Sequence, residues 1–129
     1  VPPPPAPPKP PAALVTYLPK AGAQDPALFA TARRLLAARG IGGPRSPILR
    51  LVLIEPQWQS EREHRRGNIA RRTRNAAVVY QEPAAGGRPV VRFVLLAADA
   101  ATGGRGGARY GPVYLRDLGA PRPVAPSAL

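Results

Sequence analysis

Asn75–Asp99 reads NAAVVYQE (75–82), PAAGG (83–87) and RPVVRFVLLAAD (88–99). Two runs rich in Val, Leu and aromatic residues flank a connection holding one proline and two glycines. That pattern predicts a β-hairpin with a short loop. The rest of the chain is expected to be built against this hairpin.

Immediately upstream, Glu61–Asn75 (EREHRRGNIARRTRN) has no apolar stripe at helical spacing. It carries a turn signal at Arg66-Gly67-Asn68, and its far arm flows into AAVVY without a break. The expected form is a pair of long, bent, arginine-rich strands projecting beyond the core as a ribbon. Before it, Ile48–Glu55 (ILRLVLIE) reads as a strand apolar on nearly both sides. Pro56 interrupts that strand and implies a bulge or an edge, with a polar continuation over Gln57–His64.

Further out, Asp25-Pro26 is a helix start: an N-cap acceptor followed by proline at the first helical position. Leu28, Phe29, Ala32, Leu35 and Leu36 fall on one face, and Gly40 after Arg39 closes a helix expected over 26–39. Ala13–Leu18 and Gly111–Leu118 are further strand candidates, the second preceded by a glycine-rich connection, AATGGRGGA. The fold class is α+β: one N-terminal helix packed on a mostly antiparallel, meandering sheet of about four or five strands, with Pro-rich extended tails. The expected organisation is a Pro-rich arm at 1–12, one domain at 13–119 and a Pro-rich tail at 120–129, with PRPVAPSAL held outside the core.

Charge is the second strong feature. The 129 residues carry 19 Lys+Arg against 7 Asp+Glu, a formal net charge of +12. Such a balance implies affinity for polyanions. Arg62, Arg65, Arg66, Arg71, Arg72 and Arg74 lie close together and repel one another unless an anion intervenes. Planar five-donor forks suit phosphate and carboxylate alike. If all six met phosphates of a duplex, log K would fall against log salt with a slope of about −5. Trp58 beside them reads as a core or rim residue with a partner for its N–H, and otherwise as a stacking platform. Arg105 and Arg109 in the glycine connection join the polyanion- or partner-binding set. Pro2, Pro3, Pro4, Pro5, Pro7, Pro8, Pro10 and Pro11 form a polyproline II arm suited to docking on a partner or to spacing the domain.

Catalytic chemistry has little to work with. There is no cysteine, hence no disulfide, thiolate nucleophile or thiolate metal site. The sole histidine, His64, stands next to Glu63, but adjacent strand residues point to opposite faces, which argues against a joint metal site. Ser46, Ser60 and Ser127 lie in no nucleophile-elbow context. No pair of acids at general acid/base spacing is visible. GGRGGARYG matches neither a dinucleotide fingerprint nor a P-loop. No metal, cofactor, small-molecule substrate or transmembrane segment is expected. The start at Val1 is compatible with removal of a leader and then with an exported, envelope location or an organellar one.

The expected role is that of a non-catalytic accessory or structural subunit of a larger assembly. Pro-rich arms and the arginine ribbon would contact other protein subunits. The alternatives are a basic RNA-binding protein of the peripheral ribosomal type and an exported envelope protein.

Overall fold

The computed structural model describes residues 14–15, 17–22, 24–62, 69–100 and 110–129. Its elements are α1 (Pro26–Ala37), β1 (Ile48–Leu53), β2 (Gln59–Arg62), β3 (Ile69–Glu82), β4 (Arg88–Asp99), β5 (Tyr114–Leu118) and β6 (Arg122–Pro123). The hairpin expected at 75–99 forms the spine. β3 and β4 pair antiparallel without a slip from Arg71↔Asp99 to Glu82↔Arg88. A 3-10 turn at Pro83–Ala85 closes it, capped by the Glu82 carboxylate on the Ala84 N–H. Gly86 and Gly87 then take left-handed φ of 70° and 79°, which only glycine adopts without steric penalty.

β1 and β2 lie end to end along β3, against Ala76–Tyr80 and Ile69–Thr73 respectively. The break between them contains Pro56, as a proline inside a strand requires. β5 and β6 share the outer edge of β4 in the same manner. The six strands therefore make four antiparallel lanes in chain order, the expected α+β meander with its single helix. Asp25 caps α1 by accepting the Leu28 N–H at 3.1 Å. The helix ends at Ala37, two residues short of expectation, and the chain leaves through a turn in which Gly40 has φ 81°.

Each sheet face is buried against a different layer. On the helix side Leu28, Ala32, Leu36 and Ile41 pack against Leu53, Ala76, Val78, Tyr80, Val90, Val94 and Leu96. Burying each of these larger side chains stabilises the fold by about 1.5–3 kcal/mol. On the far side Val52, Ala77, Val79 and Val91 pack against Val124, with Val15, Leu18 and Ala128 around them. The expectation that 121–129 stay outside the core is thus overturned, with Val124 only 3% exposed. Both faces of β3 and β4 are apolar there, so an uncovered face would leave a row of valines in water. The C-terminal segment covers it, held by Val124 N–H to the Pro89 carbonyl at 3.0 Å.

Of the strand candidate Ala13–Leu18, the described residues are Leu14, Val15, Tyr17 and Leu18, and among these only Val15 takes part in a β-bridge. Val15 makes an isolated parallel bridge to Val124 and exchanges backbone bonds with Pro123 and Ala125. Gly22 follows where the N-terminal segment crosses β1. Its N–H donates to the Leu53 carbonyl at 2.6 Å, and an added Cβ would overlap the Ile54 carbonyl oxygen. Gly22→Ala is therefore expected to destabilise the fold by roughly 1–3 kcal/mol, as read from urea midpoints. A midpoint equal to the parent's would contradict this close approach.

Candidate polyanion interface

β3 is paired on both sides through Arg71, Arg72 and Thr73, with β2 on one flank and β4 on the other. Those arginines lie inside the sheet, not on a projecting ribbon, because β4 accompanies β3 as far as Asp99. Strand alternation then divides them. Arg72 and Arg74 share the helix side with Ala76, Val78 and Tyr80, and Arg71 faces the other way.

Arg74 is turned inward and is 4% exposed. Its Nε donates to the Glu55 carbonyl at 3.0 Å and its Nη2 to the Pro56 carbonyl at 3.0 Å. Its Nη1 lies 3.8 Å from the Asp25 carboxylate that caps α1. The strand break at Pro56 leaves carbonyls without ladder partners, and a guanidinium fork satisfies two of them at once. Nothing of Arg74 is left for an external anion, which corrects its place in the expected binding cluster.

Arg72 is held differently. Its Cζ lies 4.4 Å from the centre of the Trp58 ring and 4.3 Å from that of Tyr110. Each such contact is worth about 0.5–2 kcal/mol. Its Nε is enclosed and has no acceptor, a state that costs about 1–3 kcal/mol. Trp58 itself is half-buried, resting on the helix-side core. Tyr80, the other aromatic near the cluster in sequence, is 1% exposed and donates its O–H to Glu82 at 2.9 Å. Burial pushes its phenol pKa up. Tyr110 could not be associated with Arg72 from spacing alone. It arrives through the return of the chain after β4, where it bridges Ala100.

On the opposite face Arg71 Nε sits 3.8 Å from Asp99 Oδ1, and Asp99 accepts the Tyr114 O–H at 2.8 Å. That hydrogen bond raises the Tyr114 pKa. Arg116 donates to Glu61 at 2.6 Å, linking the two outer lanes of the sheet over its surface. This hydrogen bond, with added attraction from Arg71, holds the Glu61 carboxyl below the usual range. Arg62 ends β2 on the surface and is also engaged within the chain. Arg65, Arg66, Arg105, Arg109, His64 and the eight N-terminal prolines lie outside the described residues.

The carboxylates explain what remains. Asp25 and Glu82 cap turns, Glu55 binds the Asn75 backbone and side chain, and Glu61 and Asp99 hold arginines. By contrast Arg33, Arg34, Arg39, Arg45, Arg50, Arg88 and Arg122 are exposed and form no ion pair with a described carboxylate. Arg33 and Arg34 stand on the solvent side of α1, while Arg39 and Arg45 flank the turn beyond it. Among the described residues the uncompensated charge therefore lies chiefly on the helix, in the turn after it and at the far end of the sheet.

Among the described residues no group of three His, Cys, Asp or Glu side chains is placed to hold a metal ion. No helix among them is long and apolar enough to cross a membrane. An open recess of about 510 Å³ lies between the β3–β4 turn and Pro121–Pro123, with Val90 and Arg88 in its wall. The chain matches no protein-family model, no curated protein and no solved structure.

Proposed function

We propose that this chain is a non-catalytic accessory subunit of a larger macromolecular assembly, docking on an anionic face of its partner. The supporting observation is the division of charge just described. Five carboxylates are spent on internal contacts, whereas Arg33 and Arg34 on α1 and Arg39 and Arg45 in the turn after it are exposed and have no described counter-charge. Guanidinium groups so placed repel one another, and a polyanion relieves that repulsion while releasing its own counterions. The Pro-rich N-terminal arm would supply a second contact, lying extended along a partner chain.

A second reading, a basic RNA-binding protein, draws its support from the stacking of Trp58, Arg72 and Tyr110. Aromatic rings interleaved with arginine are how unpaired nucleotides are commonly held.

Retention of the chain by polyglutamate and by polyuridylate across a salt series tests both. Salt-dependent binding of at least one is expected. Changing Arg33, Arg34, Arg39 and Arg45 together to Ala should flatten the polyuridylate salt slope by about 3, at roughly 0.7 per lost phosphate contact. These exposed changes should leave stability within about 0.5 kcal/mol per site. No binding of either polymer at low salt would end the proposal.

A further inference from the structure

The geometry points to the Trp58–Arg72–Tyr110 stack as an oxyanion site, and we infer that its ligand is a phosphate group. The inference rests on the polyanion reading above and deepens it by naming the anion. A guanidinium carbon with one ring centre 4.4 Å away and a second 4.3 Å away has exchanged much of its hydration for aromatic surface. Its N–H groups bond only within its own plane. One side of that plane is closed, because Nε is enclosed and meets no acceptor. What remains is the end-on edge carrying the two η nitrogens. Arg71, Arg74 and Arg116 each face a carboxylate, but Arg72 has no ion pair with any described carboxylate. The edge is a fork already held in place, and two oxygens of one oxyanion fit it.

Ser60 decides between phosphate and carboxylate. It stands directly opposite Arg72 in the β2–β3 pairing and is exposed. A carboxylate that meets the fork has used both of its oxygens. A tetrahedral phosphate keeps a further oxygen out of the guanidinium plane, where a neighbouring hydroxyl can donate to it. The rims of the two rings offer apolar surface for the organic part of a phosphate ester.

Trp58 is the sole tryptophan, so its fluorescence reads this site in the full chain. Titrations at constant ionic strength use inorganic phosphate, AMP, a short oligouridylate and acetate, with the ³¹P linewidth of AMP as a second readout. A saturable change with phosphate or AMP, at least tenfold tighter than with acetate, is the expected result. Arg72→Lys, which keeps the charge and loses the fork, should weaken AMP by tenfold or more. Ser60→Ala should weaken it several-fold with an unchanged circular dichroism spectrum. Because Ser60 is exposed, its variant keeps the test decisive even if Arg72→Lys does not fold. A phosphodiester backbone is the source if oligouridylate binds more than tenfold tighter than AMP, and a free nucleotide if it does not. Acetate equal to phosphate, full affinity in Arg72→Lys or in Ser60→Ala, or silence in both readouts overturns the inference. If polyglutamate or polyuridylate is still retained in that case, the broader docking proposal survives. If retention is lost too, both fall.

Discussion

Arg74→Ala is expected to lower the folding free energy by about 3 kcal/mol and yet leave polyanion retention unchanged. The side chain is 4% exposed, and its removal strands the Glu55 and Pro56 carbonyls and leaves Asp25 without its cation. An enclosed polar group without its partner costs about 1–3 kcal/mol. The ion pair adds less, since the Asp25 side chain is partly solvated. For a domain of this size 3 kcal/mol corresponds to a fall in melting temperature of roughly 10 °C. Arg74→Lys should recover part of the loss, because an ammonium can reach one carbonyl but has no planar fork for two. Scanning calorimetry beside the retention assay separates the two roles. A variant with parental melting and diminished retention would mean that Arg74 serves the partner after all.

Removing residues 121–129 should be more damaging still, on the order of 5 kcal/mol, enough to abolish cooperative unfolding in a marginal domain. The segment carries Val124 and Ala125, both buried, and the backbone bonds of Val124 to Pro89 and of Ala125 to Val15. Its loss bares Val52, Val79 and Val91 on the far sheet face and detaches the N-terminal segment. Val124→Ala is the gentler form of the experiment and should cost roughly 2 kcal/mol. Dye binding to exposed apolar surface and urea unfolding report both. A truncated chain that melts like the parent would show the second core to be dispensable.

The two experiments mark where local reading succeeds and where it stops. The β3–β4 hairpin is legible because its information is local: apolar runs, a turn composition and arms of matching length. The α1 start is equally local, with Asp25 three residues before the N–H it accepts. The arginine cluster is local only in name. Strand alternation places Arg71 opposite to Arg72 and Arg74, but it says nothing of which one is buried. Arg74 is claimed by carbonyls 18 and 19 residues away, and Arg72 is covered by a tyrosine on the far side of a glycine-rich connection. PRPVAPSAL reads as a tail because proline content reflects backbone stiffness. It does not report whether an apolar sheet face nearby needs a cover.

The sequence by itself determined the α+β class, the central hairpin, the capped helix and a large cationic surplus, since each is written in neighbouring residues or in composition. Only the tertiary structure decided which guanidinium groups face solvent, which are tied to carbonyls or packed against aromatic rings, and that the C-terminal segment seals the second core. Those outcomes depend on groups brought together by folding. The free energy of a charge or of a valine is set by what surrounds it in space, not by its neighbours along the chain.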